Sequence, residues 1–313
     1  MIGTKLRFLA LTRNMLNWFV ARLIFGLLAL LKLLPAENAL RFLSWAARKI
    51  GPLMGRNRVA LQNLKLALPA SGSEQHEIIA GDMWENMARL AGEYVFLDEL
   101  FDYDPNKPDI GRIEVRGAEL FQKLRDDQKP KIFFTAHMGN FELLPIAAAT
   151  FGLDVTAMLR PPNNQYVAKR ILSARTTRMG HLVPSKAGAS IALARVLEAG
   201  GNIGVLVDQK FANGLETTFF GVPCLTSPLL AKLARQFDCD IYPAFCIRLP
   251  GGRFRLTLEE PLVITRNPNG KIDQLALMQS INDHVEGWVR QHPGQWTWFH
   301  KRWKMGKSRR ANP

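Results

Sequence analysis

His137 and Glu142 are the residues in this sequence whose types and spacing best suit acid–base chemistry. An imidazole can take up a proton near neutral pH, and a neighbouring carboxylate can fix its tautomer and stabilise its charged form. On one continuous helix, two residues at this spacing point roughly 140° away from each other and could not meet. The pair can therefore act together only if the chain bends between its two members.

The residues between the pair predict such a bend. An apolar run with the length and composition of a buried strand ends just before His137, at the position where open α/β sheets commonly bind their ligands. Gly139 lets the backbone turn sharply, and Asn140 is a favoured N-cap for a helix over 140–150. Glu142 would then lie in the first helical turn and reach back to the imidazole. The alternative interpretation is a partly buried histidine at a strand end, without a catalytic role.

Two further polar residues follow predicted strands and are candidates for substrate binding. Arg160 ends the strand predicted over 154–159 and is fixed by the prolines after it, so it is well placed to bind a phosphate or a carbonyl oxygen. Asp208 follows the strand predicted over 203–207, where it could orient a sugar or phosphate partner or cap the next segment. A solvated surface arginine is the alternative for Arg160. Both residues meet His137 only if their strands are neighbours in the sheet.

Motifs for other chemistries are absent or incomplete in the sequence. The segment 188–192 lacks the final glycine of a serine nucleophile elbow, and 200–204 does not match a dinucleotide-binding loop. The three cysteines are widely spaced, which argues against a zinc site and a disulfide framework, and we expect them to pack as small buried residues. We therefore expect no metal and no cofactor. A catalytic histidine would activate a hydroxyl of the substrate, in direct acyl transfer without a covalent enzyme intermediate.

The chain between 113 and 291 alternates predicted strands with predicted helices, which is typical of an α/β protein with a mostly parallel sheet. A hairpin-like turn over 249–252 joins two of the strands, so we expect the sheet to be mixed. The earlier part of the chain predicts helices over 36–50, 52–68 and 74–100. The predicted strands are 113–116, 131–136, 154–159, 203–207, 241–246 and 253–258, and the later predicted helices are 117–126, 140–150, 164–179, 188–199, 226–238 and 273–291.

The N-terminal segment is strongly apolar. Only Arg22 and Lys32 interrupt the run from Trp18 to Leu34, and basic residues flank it on both sides. A membrane-spanning helix needs ~20 mostly apolar residues, so a span would require both cations to reach towards the headgroups. The sequence has no small-residue cleavage site of a secretory signal after this run. We expect a helix that lies in the membrane interface or is inserted and held on the cytoplasmic side; a buried core helix is the alternative.

The sequence carries a formal net charge of +14, from 41 lysines and arginines against 27 aspartates and glutamates. Such an excess indicates an anionic partner: a nucleic acid, anionic lipid headgroups or an acidic protein. The C-terminal stretch 293–304 mixes tryptophans with cations, a composition typical of a base-stacking surface or of an interfacial membrane anchor. A nucleic acid would explain neither the apolar N-terminus nor the pair of His137 and Glu142, so we expect no nucleic-acid partner.

Several segments, in order along the chain, resemble one family: the late acyltransferases of lipid A biosynthesis, which are lauroyl and myristoyl transferases of the lysophospholipid acyltransferase superfamily. The hexapeptide 137–142, HMGNFE, is similar to the family motif of a histidine and an acidic residue separated by four others. Phe141 and Leu159 depart from the family pattern, because tryptophan and an aromatic residue are commoner there. The other similar segments are 56–69, 158–164, 203–209, 219–234 and 293–304.

The resemblance implies a glycerolipid-acyltransferase-like α/β sandwich that acts at the cytoplasmic face of the inner membrane. The donor would be an acyl chain on acyl carrier protein. The acceptor would be the hydroxyl of a 3-hydroxyacyl chain on a phosphorylated glucosamine disaccharide, a lipid A precursor. By the same resemblance His137 would deprotonate that hydroxyl and Glu142 would orient His137, while Arg160, Asp208 and Asn140 would bind the substrates.

The expected organisation is an anchoring helix over 1–35 followed by a single acyltransferase domain over 36–313. That domain would be helical over 36–112 and α/β over 113–313. Two other functions fit the same residues. One is an acyltransferase that acts on a lysophospholipid or another glycolipid, and the other is a non-enzymatic basic protein of the membrane surface.

Overall fold

The N-terminal third of the chain is helical. The computed structural model describes residues 2–108, 110–159, 164–169, 180–185 and 188–303 of the 313-residue chain. The first helices are α1 (Ile2–Leu31), α2 (Ala36–Ile50), α3 (Gly55–Ala67) and α4 (Ser73–Leu100). Both α2 and α3 pack against α4, and a 3-10 turn, Gly51–Leu53, separates them. The predicted helices over 36–50, 52–68 and 74–100 are therefore confirmed to within three residues at each end.

A mixed, mostly parallel sheet of seven strands follows. Its strands, in spatial order, are β1 (Ile113–Arg116), β9 (Arg253–Leu258), β8 (Asp240–Leu249), β2 (Lys131–Thr135), β5 (Asn202–Leu206), β3 (Val155–Leu159) and β4 (Leu182–Pro184). Strands β8, β2, β5, β3 and β4 are parallel to one another, while β9 is antiparallel to β8 and parallel to β1. The predicted hairpin of β8 and β9 and the predicted mixed sheet are both confirmed.

Helices cover both faces of the sheet because successive side chains of a strand point to opposite sides. On β2, Ile132 and Phe134 pack into a cluster with the later helices, whereas Phe133 packs into a second cluster with the earlier ones. The helices on the Phe134 side are α7 (Ala189–Glu198), α8 (Leu229–Phe237) and α9 (Gln274–Gln291), and those on the Phe133 side are α5 (Ala118–Asp126) and α6 (Leu143–Thr150). Of these, α9 is capped by Asp273, the residue before it, whose carboxylate accepts hydrogen bonds from backbone N–H groups of the first turn.

Three elements differ from the sequence-based expectation. A separate antiparallel hairpin, β6 (Lys210–Phe219) with β7 (Val222–Thr226), and the short strand β4 were not predicted. Half of the residues of β6 are solvent-exposed and its apolar residues do not alternate regularly with polar ones, so it lacks the pattern that identifies a half-buried strand. Helix α6 begins at Leu143, three residues after the predicted N-cap. The predicted helix over 164–179 falls largely outside the described residues.

The C-terminal aromatic segment is part of the core, and the prediction that it forms a nucleic-acid or membrane surface is wrong. Trp296 and Trp298 are at most 1% exposed, and Trp303 is 7% exposed. Each indole N–H donates a hydrogen bond within the protein, to Asp208, to the carbonyl of Pro293 and to the carbonyl of Phe219 respectively. The composition of this segment suited a surface, but buried indoles that find acceptors are equally stable in a core.

Helix α1 stands apart from the core over most of its length. Its segment Leu11–Leu31 has a mean hydropathy of 1.7 and is only 11% buried, so it is long and apolar enough to cross a membrane. Its C-terminal end does pack, because Leu31 belongs to a small cluster with Ala39, Phe96 and Leu100. Asn164 and Tyr166 also donate hydrogen bonds to Asn17 and Asn14 of α1. The helix therefore contacts the rest of the protein at its C-terminal end and near its middle, and it exposes many apolar side chains between Leu11 and Leu31.

Candidate functional site

The site forms where β2 and β5 end side by side. These strands are parallel neighbours, with Thr135 paired to Leu206, and the backbone N–H of Val207 donates to the carbonyl of Thr135. The residues that follow, His137 after β2 and Asp208 after β5, therefore lie at the same edge of the sheet. The sequence predicted that Asp208 would meet His137 only if their strands were neighbours in the sheet, and β2 and β5 are neighbours.

Asp208 holds the imidazole of His137. Its Oδ1 lies 2.7 Å from His137 Nδ1, and its Oδ2 accepts hydrogen bonds from the His137 backbone N–H at 2.8 Å and from Trp296 Nε1 at 2.8 Å. A carboxylate can only accept, so Nδ1 carries the proton and the neutral ring keeps its lone pair on Nε2. That is the tautomer of a general base.

The Asp208 side chain is only 2% exposed, against 21% for the side chain of His137. Burial alone would raise the pKa of Asp208, but the charge and hydrogen bonds of His137, with the indole N–H of Trp296, outweigh it and hold the pKa well below its ordinary value. The carboxylate is therefore ionised and enclosed. Both of its oxygens are hydrogen-bonded within the protein. Asp208 therefore has no accessible oxygen for the contact with a substrate that the sequence predicted.

The other ring nitrogen of His137 meets an amide. Gln209 Nε2 lies 3.1 Å from His137 Nε2 and 3.2 Å from His300 Nε2. One carboxamide thus spans two histidines, the second of which comes from the C-terminal segment. The ring of Phe141 contacts the His137 ring edge-on, with 5.1 Å between ring centres. The imidazole is held at both nitrogens and on one face.

Glu142 and Asn140 occupy the turn that leads into α6. Glu142 is the residue immediately before the helix, and its backbone N–H donates to Asn140 Oδ1 at 3.2 Å. The predicted capping role of Asn140 is therefore corrected: its side chain closes a local turn, and it lies two residues before Glu142, which occupies the N-cap position. Asn140 Nδ2 also donates to Glu93 Oε2 at 2.8 Å, so both ends of this amide are engaged inside the protein. Glu142 is buried and lines the same cavity as His137.

Gly139 fixes the path of the loop between His137 and α6. Its φ is +55°, and a Cβ at this position would overlap the backbone carbonyl of Cys246. Its N–H donates to the carbonyl of Gln295 at 3.0 Å, and Thr297 Oγ1 donates to the carbonyl of His137 at 2.7 Å. Only glycine combines this positive φ with such close packing. The C-terminal segment thus holds the loop from outside.

A buried ion pair supports the same loop from α4. Both guanidinium Nη atoms of Arg248 donate to the carboxylate of Glu93, and Arg248 Nε donates to Asn86 Oδ1 at 2.6 Å. Glu93 is 1% exposed and is also the acceptor for Asn140. Since α4, β8 and the loop all meet at this pair, it fixes the position of the loop relative to the sheet.

A cavity of ≈ 1100 Å³ lies beside the imidazole. His137, Glu142 and Gln209 line it together with two lysines, Lys210 and Lys232. Most other lining side chains are apolar and come from β2, β3, α6 and neighbouring elements; they include Phe133, Leu144, Ala148, Leu153, Val155 and Leu258. The cavity therefore has one polar region, at the histidine, and an extended apolar region.

The sequence of the chain is similar to those of known acyltransferases. The sequence model of the family described as bacterial lipid A biosynthesis acyltransferase matches residues 5–305. The chain belongs to this family. Its members are acyltransferases of lipid A biosynthesis, so acyl transfer onto a lipid A precursor is the reaction class of this chain.

Two curated members of the lipid A acyltransferases illustrate the relationship. The chain is 26% identical over 307 residues to lipid A biosynthesis acyltransferase 2 of Shigella flexneri, covering 95% of this chain and 92% of the relative. It is 24% identical over 277 residues to the lipid A biosynthesis myristoyltransferase of Escherichia coli (strain K12), covering 85% and 82% respectively. The resemblance identified from the sequence motifs is therefore confirmed at the level of the family.

The candidate site brings together His137, Asp208, Asn140 and Glu142, whereas Arg160 lies outside the described residues. The sequence places Gln209 beside Asp208 at the end of the same strand, but nothing in it connects Gln209 or His300 to His137, although each lies in a segment that resembles the family. Sequence reasoning missed Glu93 and Arg248. A carboxylate within the apolar stripe of α4 was the available signal for Glu93, because a buried charge needs a partner.

The three cysteines lie inside the protein. Cys224, Cys239 and Cys246 are all buried and free, as the sequence predicted. Burial raises the pKa of Cys246 to about 12 and that of Cys239 to about 11, so both stay protonated near neutral pH.

Proposed function

We propose that this acyltransferase moves a fatty acyl chain from acyl carrier protein to the hydroxyl of a 3-hydroxyacyl chain on a lipid A precursor. The observation that carries the proposal is the imidazole of His137, which Asp208 holds at Nδ1 and which lines a largely apolar cavity. In this proposal His137 is the general base and Glu142 supports it. The donor is a thioester and the product is an ester.

The proposed reaction needs one proton acceptor and no enzyme nucleophile. Nε2 of His137 takes the proton of the acceptor hydroxyl as its oxygen attacks the thioester carbonyl carbon. The tetrahedral intermediate then collapses, the C–S bond breaks, and the imidazolium returns the proton to the departing thiolate. Atoms and charge balance, and the carrier protein leaves as a free thiol.

Two carboxylates stabilise the imidazolium in this scheme. Asp208, at 2.7 Å from Nδ1, orients the ring and compensates its positive charge, which replaces the substrate contact predicted for Asp208 from the sequence. Glu142 adds a second negative group along the same cavity. Arg160 remains proposed as a ligand of the acceptor, the donor or the developing oxyanion. Asn140 acts on the loop rather than on the substrate, since Glu93 and Glu142 occupy its amide.

The cavity suits the proposed substrates. An acyl chain placed along Phe133, Ala148 and Leu153 would bury its methylenes, each worth ~0.8 kcal/mol when removed from water. Lys210 and Lys232 add positive charge to the wall, which suits a phosphorylated acceptor. Helix α1 would anchor the enzyme at the cytoplasmic face of the inner membrane, where the acceptor lies.

His137→Ala is the direct test of the base. Purified protein is incubated with acyl carrier protein charged with a fatty acid and with a lipid A precursor, and the product is measured by mass spectrometry. We expect His137→Ala to lose ~10²-fold or more of the activity while it still binds membranes. The matched control is His181→Ala, because His181 is a surface histidine whose side chain is 79% exposed. Full activity of His137→Ala would rule out the proposed base.

The substrate assignment has its own test. If the wild-type enzyme leaves the lipid A precursor unmodified but acylates a lysophospholipid, the acceptor proposed here is wrong and the acyltransferase chemistry survives. If neither acceptor is modified, and substitution of His137 or Glu142 changes only stability, the protein is a basic membrane-surface protein without this activity.

A further inference from the structure

We propose that Gln209, backed by His300, is a positioning residue that keeps Nε2 of His137 in its proton-accepting form and then orients the acceptor hydroxyl onto it. The inference rests on the proposed general base. The observation behind it is the single carboxamide whose nitrogen lies 3.1 Å from Nε2 of His137 and 3.2 Å from Nε2 of His300.

The hydrogen-bonding capacity of each group selects one arrangement. Asp208 fixes the proton of His137 on Nδ1, so Nε2 presents a lone pair. Only the –NH₂ end of Gln209 can donate to that lone pair. The second hydrogen of the same –NH₂ group is directed at His300, which must then also present a lone pair on Nε2. A carboxamide rotated by half a turn would place its oxygen against the lone pair of His137 Nε2.

Both partners of the His137 imidazole come from adjacent positions in the sequence. Asp208 and Gln209 are adjacent at the end of β5, so one strand end provides the partners of both imidazole nitrogens. A shift of β5 relative to β2 would therefore displace both partners together. The position of the proton on the His137 ring therefore depends on the register of β2 and β5 and on His300, the second partner of Gln209.

His300 is held firmly enough to serve as that partner. Asn63 Nδ2 donates to the backbone carbonyls of Trp298, at 2.6 Å, and of His300. The neighbouring Phe299 stacks on Trp84 of α4, with 5.5 Å between ring centres. Helices α3 and α4 thus fix the short segment that carries His300. This gives a fixed, partly buried position to a histidine that the sequence assigned only to an aromatic and basic tail.

The acceptor hydroxyl has to replace the amide N–H at Nε2 of His137 before it can transfer its proton. His300 makes this exchange easier, because Gln209 keeps one of its two hydrogen bonds while it releases the other. The released N–H is then free to donate to the acceptor oxygen. A hydroxyl that accepts from Gln209 directs its own hydrogen at Nε2, which is the geometry that proton transfer needs.

Four variants of the full-length enzyme test this role. Gln209→Met keeps the length of the side chain and removes both donors, whereas Gln209→Glu replaces the donors with a carboxylate. His300→Gln keeps an acceptor for the Gln209 amide, and His300→Phe removes it. Gln122→Met is the matched control, since Gln122 is exposed on α5.

We expect Gln209→Met and His300→Phe to lower kcat ~10- to 100-fold, with little change in the KM of the donor. His300→Gln should stay within ~3-fold of wild type, because it restores the acceptor. In protein labelled with ¹⁵N-histidine, Gln209→Glu should move the His137 Nε2 resonance towards the protonated state, because a carboxylate there favours an N–H. Gln122→Met should match wild type in every measurement.

The proposal is overturned if Gln209→Met keeps the wild-type kcat, or if His300→Phe and His300→Gln lose activity equally. It is also overturned if Gln209→Glu leaves the His137 nitrogen resonances unchanged. The nitrogen spectra need no substrate, so they test the hydrogen-bonded arrangement even if the wild-type enzyme makes no acylated lipid A precursor. A wild-type enzyme that makes no acylated lipid A precursor would contradict the proposed function and not the role of Gln209.

Discussion

At the scale of single residues, Asp208 shows how an environment assigns a role. A carboxylate at a strand end could have faced a ligand, and the sequence left open whether it bound a substrate or capped the next segment. In the structure it is enclosed, ionised and shared between His137 and Trp296. Removing such a charge from water is costly, and the hydrogen bonds that offset this cost also fix the tautomer of the base.

Asp208→Asn should therefore impair catalysis far more than folding. An asparagine amide turned towards Nδ1 can donate to it, which moves the ring proton to Nε2 and abolishes the proton-accepting form. We expect kcat to fall on the order of 10³- to 10⁴-fold, the size of effect known for a catalytic histidine in the wrong tautomer. The rate is measured with acyl carrier protein as donor, and retention of the fold by far-ultraviolet circular dichroism.

The control for this substitution is Asp126→Asn, because Asp126 is an exposed carboxylate near the end of α5. It should behave as wild type in both measurements. If Asp208→Asn kept more than about a tenth of the wild-type kcat, Asp208 would not be fixing the tautomer.

At the scale of elements, the sequence predicted the features that depend on neighbouring residues better than the contacts between residues distant in the chain. The strand at 131–135, the glycine turn and the helix before 150 follow from apolar runs and turn residues close together in the sequence. The contact between His137 and Asp208 depends instead on β2 and β5 being neighbours, which no local pattern encodes. Trp296 and Trp303 were misinterpreted for the same reason, since their acceptors, Asp208 and Phe219, are distant in sequence.

Helix α4 is joined to β8 by the pair of Glu93 and Arg248, and this joint should carry substantial stability. Arg248→Met would leave the 1%-exposed carboxylate of Glu93 without its cation. We expect a loss of ~3–5 kcal/mol in the free energy of unfolding, because an unpaired buried charge is poorly tolerated. Chemical denaturation in detergent measures this free energy.

The double variant Glu93→Gln with Arg248→Met separates charge from packing. Glutamine keeps an acceptor for Asn140 but removes the buried charge, so the double variant should be more stable than Arg248→Met alone. If the two were equally unstable, the cost would come from lost packing of the arginine side chain. The buried charge would then not be what the pair neutralises.

At the scale of the whole molecule, apolar and basic surfaces lie together on the N-terminal helices. Helix α1 exposes apolar side chains along most of its length, and Phe42, Trp45 and Leu53 continue the exposed apolar surface through α2 and the 3-10 turn. Arg56 and Arg58 follow at the start of α3, within a chain of net charge +14. Apolar side chains flanked by cations are typical of elements that lie in an anionic membrane interface.

This surface predicts the orientation of the enzyme on a membrane. Helices α2 and α3 pack on α4, and Glu93 of α4 is hydrogen-bonded to Asn140 in the loop after His137, so we expect the surface to lie on the same side of the protein as the candidate site. Leu53 is 84% exposed there. Val263 is 93% exposed, and it follows Leu262, which is hydrogen-bonded to Ile241 near the start of β8, at the opposite edge of the sheet.

Labelling a single introduced thiol at each position would distinguish the two sides. The native cysteines are buried, so an environment-sensitive dye should react with Leu53→Cys or Val263→Cys alone. On addition of vesicles that contain anionic lipid, we expect a blue shift and an intensity rise for the dye at position 53, because it enters the headgroup region, and little change at position 263. Equal shifts at both positions, or a shift only at 263, would contradict this orientation. Since the acceptor hydroxyl belongs to a lipid in the proposed reaction, such a result would also leave His137 facing away from its substrate.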